Sequence, residues 1–453
     1  MVVHAFQIGS GTQWKCMNVR TLLRGSRPVP PEYRSNFRHL YLDIAWYGVL
    51  AASAMSFVAV YATRQGASAF QIGLLSAGPA AVNLLFTLPV GHWLEGLPID
   101  ASVFWSAVLH RFFYVLWIPL PVLLAPQEQV WALVILTLLM AVPGTALAVG
   151  FNALFADAVP PEWRGHVVGI RNALMAVTFI VVSLLCGLIL GRLPFPTGYQ
   201  VVFAIGFVGA AMSCLHLRFV VPFPSGQSHP RVGRSLGDLG RPGRMQLMLD
   251  SLRLGAGLRF LIRGHGARLL RIEILKGAYG RLIFVLFAFY LAIHLAVPLF
   301  PIQWVNQLHL TDREIALGTA VFYVSVFLSS TQMARLARRL GNRRVTAIGA
   351  MFMSFYPAFL AISRGLDLFL VASAAGGLGW SLVGGALTNH LLEKVPPDDR
   401  PAYLAWYNLA LNAALLLGSL TGPFLAHLGG VPVALMIFAA LRFLAALAIL
   451  RWG

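Results

Sequence analysis

The stretch Asp157-Ala-Val-Pro-Pro-Glu-Trp-Arg164 recurs 236 residues later as Glu393-Lys-Val-Pro-Pro-Asp-Asp-Arg400. The two copies can be aligned without a gap as far as Asn172 and Asn408. Each copy lies between two long apolar segments, so each predicts a short loop that joins two membrane helices. A loop that recurs in both halves of a membrane protein indicates that the chain folds into two homologous helical bundles.

The composition is typical of a chain that is solvated mainly by lipid. Hydrophobic residues make up 58% of it and charged residues only 11%, and the mean hydropathy is +0.74. A soluble globular protein carries roughly 25% charged residues, whereas about 20 apolar residues are enough for a helix to span the bilayer. The apolar segments predict twelve such spans, at residues 40–62, 70–91, 101–124, 129–155, 165–191, 198–221, 281–305, 314–335, 345–363, 367–392, 401–426 and 431–450.

These spans predict an all-α membrane protein with two pseudo-symmetric six-helix bundles. A second repeat supports two parallel halves, because Ser68-Ala-Phe-Gln-Ile72 matches Thr311-Asp-Arg-Glu-Ile315 at the start of the second span of each half. The chain therefore divides into a basic tail (1–39), a first bundle (40–221), a basic linker (222–280) and a second bundle (281–453).

The net charge of +18 invites an interpretation as a nucleic-acid-binding protein, but the distribution of the basic residues favours a membrane explanation. Lys and Arg collect in the cytoplasmic loops of membrane proteins. In this chain, 24 of the 34 basic residues lie in the tail, the linker, the carboxyl end and alternate loops, and the remaining loops hold only four. The sequence thus predicts a multi-pass protein of the plasma (inner) membrane, with both termini in the cytoplasm and no nucleic-acid partner.

The basic linker contains two segments, Met245–Leu254 and Leu258–Leu275, that mix Leu and Ile with Arg at roughly helical spacing. Helices of this kind can lie flat on an anionic membrane surface, so anionic lipid is a predicted partner. A plain tether between the two bundles explains the same composition, and the two interpretations are compatible.

This organisation resembles the major facilitator superfamily from about residue 40 to the end of the chain. Members of that family carry Gly-x-x-x-Asp-x-x-Gly-Arg-Arg/Lys after the second and the eighth helix. The first copy here, Gly91-His-Trp-Leu-Glu95-Gly-Leu-Pro98, keeps the glycine and the acid but has lost the basic pair. The later copy, Ala334-Arg-Leu-Ala-Arg338-Arg-Leu-Gly341-Asn-Arg343-Arg344, keeps the second glycine and the basic pair but has Arg at the acidic position.

The resemblance implies that these motifs and the repeated loop form a cytoplasmic gate. Glycine lets two helix ends approach closely, and charges can hold the ends together in one conformation. The alternative is a pair of Pro-Pro turns with ordinary interfacial charges. The predicted gate residues are Gly91, Glu95, Asp157, Arg164, Arg338, Gly341, Arg343, Arg344, Glu393 and Arg400.

Ionisable residues within the spans are few, and they are functional candidates because burying an unpaired charge costs several kcal/mol. Asp43, near the start of the first span, is predicted to pair with Arg111 or Arg171. His294 lies near the centre of the seventh span, where a histidine can titrate or can be a hydrogen-bonded packing residue. No carboxylate falls at the midplane, which argues against conventional proton coupling. The candidates for a coupling role are Asp43, Arg111 and His294.

In the superfamily, helices 1, 4, 7 and 10 line the central cavity, flanked by helices 2, 5, 8 and 11. The resemblance therefore implies a substrate cavity built from those helices. Arg442 lies in the peripheral twelfth helix and is interpreted as a snorkelling or structurally paired residue. The candidate substrate-binding residues are Trp46, Asn83, Arg171, Asn172, His294, Trp380, Asn408 and Asn412.

These observations predict a monomeric secondary or facilitative transporter that moves a small solute by alternating access, without a cofactor and without enzymatic activity. The sequence has no Gly-x-x-x-x-Gly-Lys-Ser/Thr motif for a nucleotide and no His/Cys/Asp spacing typical of a metal site. Two alternatives stay open. A sensor or scaffold that descends from a transporter fits the altered first motif, and a membrane-embedded enzyme would need a cluster of His, Asp or Glu.

Overall fold

The structure is a computed structural model that describes residues 29–94, 97–223, 272–396 and 400–453. Within these residues the chain is almost entirely helical and contains no strand. Twelve of the described helices are long and apolar enough to cross a membrane, which confirms the predicted number of spans. Most of the predicted basic tail, Glu95 and most of the basic linker lie outside the described residues. Of the two amphipathic segments of the linker, only Ile272–Leu275, the end of the second, is described, as a short 3-10 helix.

The twelve long helices are numbered here α1 to α12 in chain order. The helix α1 contains a π-helical turn at Ala51–Met55, and α7 is interrupted after Ala296 and ends in a π-helical turn at Gln303–Gln307. Their bounds are Pro31–Arg64, Ala69–Leu94, Ile99–Trp117, Pro126–Ala158, Pro161–Leu190, Thr197–Leu217, Ala278–Gln307, Asp312–Leu340, Asn342–Ile362, Leu366–Glu393, Arg400–Gly429 and Val431–Trp452.

Two helices differ from the predicted spans because of proline. The helix α1 begins at Pro31 and not at residue 40, since proline is well suited to the first turn of a helix. Asp43 consequently lies about 18 Å along the helix axis, at 1.5 Å per residue. The helix α3 ends at Trp117 and not at residue 124, because Pro119 has no amide hydrogen to donate to the carbonyl four residues earlier.

The same set of helix pairs forms the core of each half. In the first half α1 packs on α5 and α6, α3 packs on α4 and α6, and α2 packs on α4. In the second half the equivalent pairs are α7 with α11 and α12, α9 with α10 and α12, and α8 with α10. Each pair recurs six helices later, so the two bundles have the same internal arrangement.

The alternation of the helices defines two faces of the molecule. The odd-numbered helices begin, and the even-numbered helices end, at the face that carries both described chain ends, which we call the terminal face. Both copies of the repeated loop, after Asp157 and after Glu393, lie at this face. The other face, which we call the opposite face, carries the end of α1 at Arg64 and the start of α8 at Asp312.

Candidate functional site

A buried cluster of three charges lies in the first half. Arg171 of α5 donates a hydrogen bond from Nη1 to Asp43 Oδ2 of α1 at 3.2 Å, and Nη2 of Arg111 of α3 lies 3.8 Å from Asp43 Oδ1. Ser213 of α6 donates to the same Oδ1 at 2.5 Å. The structure thus brings both predicted arginine partners to Asp43 at once. One carboxylate joins four of the six helices of its half.

The surroundings of the cluster are apolar or weakly polar. The guanidinium of Arg171 lies 5.0 Å from the ring centroid of Phe151, and its Nη1 also donates to the carbonyl of Leu40 at 2.9 Å. Arg111 donates to Cys214 Sγ at 3.3 Å. Two cations face one anion, so the carboxylate of Asp43 is the main source of compensating charge for both guanidiniums.

The predicted amides have four different environments. Asn83 of α2 accepts a hydrogen bond from Thr145 Oγ1 of α4. Asn172 is exposed and makes no hydrogen bond with a described residue. Its repeat partner Asn408 is buried, and its Oδ1 accepts no hydrogen bond from a described residue. Asn412 is buried as well and donates to the Asn408 carbonyl at 2.9 Å. The sequence repeat therefore does not extend to the environments of Asn172 and Asn408.

The other predicted cavity residues lie on three different helices. Trp46 is half-buried on α1, beside α6 at Gly209. His294 is half-buried on α7, where it packs so closely on α11 that a Cβ on Gly418 would lie 2.9 Å from the Cβ of His294. Trp380 of α10 is 44% exposed. The described packing contacts of Trp46 and His294 thus belong to different helix pairs, α1 with α6 and α7 with α11.

Trp380 lines a cavity of about 250 Å³ whose lining residues all belong to the second half. Arg442 of α12 also lines it and is only 2% exposed. Its guanidinium donates to the carbonyls of Ala292 at 3.1 Å and Ile293 at 2.7 Å, and to that of Met353 at 3.2 Å. Arg442 is therefore buried between α7 and α9. Of the two interpretations from the sequence, a snorkelling residue and a structurally paired residue, the first does not apply.

The ion pair between the halves lies at the opposite face. Arg64 Nε donates to Asp312 Oδ1 at 2.7 Å, and Arg64 Nη2 donates to the Leu310 carbonyl at 2.8 Å. Sequence reasoning did not single out either side chain. The available signal was that Asp312 lies in the second repeat and that Arg64 is one of very few basic residues on its side of the membrane. The sequence did not indicate that these two helix ends meet.

Helix packing joins the halves from the middle of α5 to the same face. Phe179 of α5 stacks on Tyr323 of α8 with ring centroids 3.9 Å apart. A Cβ on Gly187 of α5 would lie 2.5 Å from the Cβ of Ala316. The last part of α1, Ser56–Arg64, also contacts Leu299–Ile302 of α7, and α2 packs on α11. The two halves are therefore closely packed at the opposite face.

The predicted gate residues at the terminal face have described hydrogen bonds inside their own halves. Arg164 donates to the carbonyls of Ala156 at 2.6 Å and Val159 at 3.0 Å, and so caps the end of α4. Glu393 accepts from Asn342 Nδ2 at 2.7 Å, and Arg343 donates to the Leu450 carbonyl at 2.5 Å.

The structure describes the side chains of only some of the remaining gate residues. Arg338 and Arg344 are exposed, and Gly341 has a φ of 79°, a conformation that favours glycine, at the junction of α8 and α9. Gly91 lies in α2. Arg400 begins α11, but its side chain, like Glu95, lies outside the described part of the chain. A gating role for the whole set stays a prediction.

The comparisons with known proteins agree with this architecture. A family model described as Major Facilitator Superfamily matches residues 44–267 and 282–453. The chain is 24% identical over 146 residues to the quinolone resistance protein NorA of Staphylococcus aureus, a match that covers 32% of this chain and 37% of NorA. It is 25% identical over 142 residues to multidrug resistance protein 1 of Bacillus subtilis, covering 31% and 36% of the two chains. These matches therefore span little more than a third of the relatives' length.

Solved structures match over nearly the whole chain. A bacterial homologue of the iron transporter ferroportin in its inward-facing state has a TM-score of 0.67 at 14% identity, covering 94% of this chain and 99% of that one. Its outward-facing state has a TM-score of 0.55, at 14% identity and coverage of 93% and 99%. The family match spans both bundles, and the helix pairing repeats from one bundle to the next, so this multi-pass membrane protein belongs to the major facilitator superfamily.

Proposed function

We propose that this chain is a transporter that moves a small solute across the plasma membrane by alternating access, and that the structure represents its inward-facing state. The observation that carries the proposal is the position of the contacts between the halves. The Arg64–Asp312 ion pair and the packing around Gly187 close the opposite face. The distribution of basic residues supports a cytoplasmic location for the terminal face and for both chain termini.

The predicted cytoplasmic gate completes the cycle in this proposal. When the opposite face opens, the two halves rock and the repeated loops after Asp157 and Glu393 approach each other. Arg164, Arg343 and Glu393 are each held on a helix end of their own half, so they move with that half as a rigid surface. One copy of the chain supplies both halves, so the proposed mechanism needs no second subunit and no enzymatic step.

The first prediction concerns the Arg64–Asp312 ion pair. We expect Arg64→Asp or Asp312→Arg alone to favour the state in which the opposite face is open, because each replaces an attraction by a repulsion. A hydrogen bond to a charged group contributes about 1.5–3 kcal/mol, which corresponds to a population shift of at least tenfold. Double electron–electron resonance between spin labels at Leu193 and Gln307, one on each half at this face, measures the shift.

The exchanged pair provides the internal control for this prediction. The double variant Arg64→Asp/Asp312→Arg keeps the attraction and should return the label distance towards that of the wild type. Arg192→Asp removes an exposed arginine at the same face and should leave the distance unchanged. If the double variant is as open as the single variants, the ion pair does not hold this face closed.

Transport itself is tested in proteoliposomes with a panel of neutral, amphipathic and anionic solutes, with and without a proton gradient. We expect at least one solute to move, and the single variants at Arg64 and Asp312 to change its rate. If no solute moves and the labels at Leu193 and Gln307 keep one fixed distance under all conditions, the proposed transport function is wrong.

A further inference from the structure

The cavity in the second half has walls of aromatic rings. Phe300 and Trp304 of α7 stack with ring centroids 6.3 Å apart and an interplanar angle of 17°. Tyr356 of α9 packs edge-on against Phe300 at 4.8 Å, and Phe369 of α10 packs edge-on against Trp304 at 5.9 Å. Small-molecule sites are commonly cavities of this kind, with apolar and aromatic walls and a few polar groups that fix the ligand.

Arg442 is the charged group in the lining of this cavity. Among the described residues no carboxylate lies within 4.0 Å of its guanidinium, in contrast to Arg111 and Arg171, which share Asp43. The three hydrogen bonds of Arg442 go to backbone carbonyls, which carry no net charge. A guanidinium has five N–H donors, so two of them have no described hydrogen-bond acceptor, although the guanidinium also lies 5.8 Å from the ring centroid of Phe300.

Within the described part of the chain, this arrangement leaves a buried positive charge without a counter-ion beside an apolar cavity. The burial of a charge costs several kcal/mol unless an opposite charge compensates it. An anion that entered the cavity would supply the compensating charge. A carboxylate fits best, because its two oxygens match the fork geometry of a guanidinium.

We propose that this cavity binds a small aromatic monocarboxylate, with the carboxylate at Arg442 and the ring between the aromatic walls. The volume of about 250 Å³ limits the ligand to roughly one or two fused rings, since drug-sized pockets begin near 300 Å³. As the substrate class of the transporter, this inference rests on the proposed function. The assignment of a binding site does not depend on transport, because every lining residue belongs to the second half.

The competing explanation is that Arg442 only ties α12 to α7 and α9. In that case the charge of a ligand would not affect its affinity. An aliphatic carboxylate such as a fatty acid is the other anion that an apolar cavity admits, but it would gain nothing from stacking on Phe300 and Trp304. Ligand charge and ligand aromaticity therefore separate the three explanations.

The test is isothermal titration calorimetry on the full chain in nanodiscs of zwitterionic lipid. The probes are 1-naphthoate, its neutral analogue 1-naphthamide, and octanoate. We expect 1-naphthoate to bind at least tenfold more tightly than 1-naphthamide and more tightly than octanoate. Equal affinity for the acid and the amide would overturn the assignment of Arg442, and tighter binding of octanoate would overturn the aromatic specificity.

A cavity-filling variant tests the location without altering Arg442, whose replacement could disturb folding. Thr319 of α8 lines the cavity, and Thr331 on the same helix is exposed. We expect Thr319→Trp to weaken the binding of 1-naphthoate at least tenfold and Thr331→Trp to leave it unchanged, with both variants unfolding at the wild-type temperature. Binding by Thr319→Trp at wild-type affinity would place the site elsewhere.

Flux measurements keep the two proposals distinguishable. If 1-naphthoate binds as expected but no solute moves in proteoliposomes, the transport proposal fails and the binding site stands. If 1-naphthoate is transported at the same rate by the wild type and by Thr319→Trp, the transport proposal stands and the binding site is wrong.

Discussion

Replacement of Asp43 by Asn should lower the free energy of unfolding by about 3–5 kcal/mol, the cost of removing one partner from a buried ion pair. The carboxylate of Asp43 compensates two buried guanidiniums, those of Arg111 and Arg171, and accepts from Ser213 as well. An amide keeps the shape and part of the hydrogen bonding but removes the only negative charge of the cluster. Unfolding by SDS in mixed micelles, followed by tryptophan fluorescence, measures the loss.

Two further variants show whether the loss comes from uncompensated charge. Asp367→Asn removes an exposed carboxylate at the start of α10 and should cost less than about 1 kcal/mol. Asp43→Asn/Arg171→Gln restores the net charge of the cluster and should be more stable than Asp43→Asn alone. A loss below 1 kcal/mol for Asp43→Asn would mean that the two arginines do not depend on this carboxylate.

The second large effect is expected from two glycines at the contact between the halves. A Cβ on Gly73 of α2 would lie 2.4 Å from the Ser419 carbonyl oxygen of α11, and a Cβ on Gly187 would lie 2.5 Å from the Ala316 Cβ. Overpacking of this kind costs about 1–3 kcal/mol per site. We expect the double variant Gly73→Ala/Gly187→Ala to separate the halves at the opposite face, because a rocking motion relieves both clashes together.

Gly169 is the matched control for these substitutions. It lies on the same helix as Gly187, and a Cβ there would contact nothing within 4 Å. Gly169→Ala stabilises its helix by about 0.5–1 kcal/mol, as does any exchange of glycine for alanine inside a helix, but it introduces no clash. The spin-label distance between Leu193 and Gln307 should lengthen in the double variant and stay constant in Gly169→Ala. A double variant that unfolds earlier but keeps the short distance would show that the halves do not separate at these glycines.

The number of helices and the two related halves could be predicted from the sequence because they depend on local hydropathy and on repeats. A run of apolar residues must cross the membrane as a helix, since no water is present to satisfy its backbone. The position of proline accounts for the two bounds that differed most from prediction, at Pro31 and Trp117.

Long-range pairings were only partly predictable. Asp43 had few cationic candidates within the membrane, so its partners could be narrowed to Arg111 and Arg171. The Arg64–Asp312 pair joins the end of α1 to the start of α8 on the face with few charges, and only the conformation of the molecule brings these helix ends together. Arg442 was assigned to a peripheral helix by resemblance, but its long side chain extends inward to α7 and α9 and lines a cavity.

The most direct test of alternating access compares the two faces of the same molecule. In a background without the three native cysteines, one pair of spin labels at Leu193 and Gln307 reports on the opposite face, and another at Phe219 and Arg339 reports on the terminal face. Double electron–electron resonance on the wild type and on Gly73→Ala/Gly187→Ala should show the first distance lengthening while the second shortens. If both distances lengthen, or if neither changes, the halves do not rock against each other and the account is contradicted.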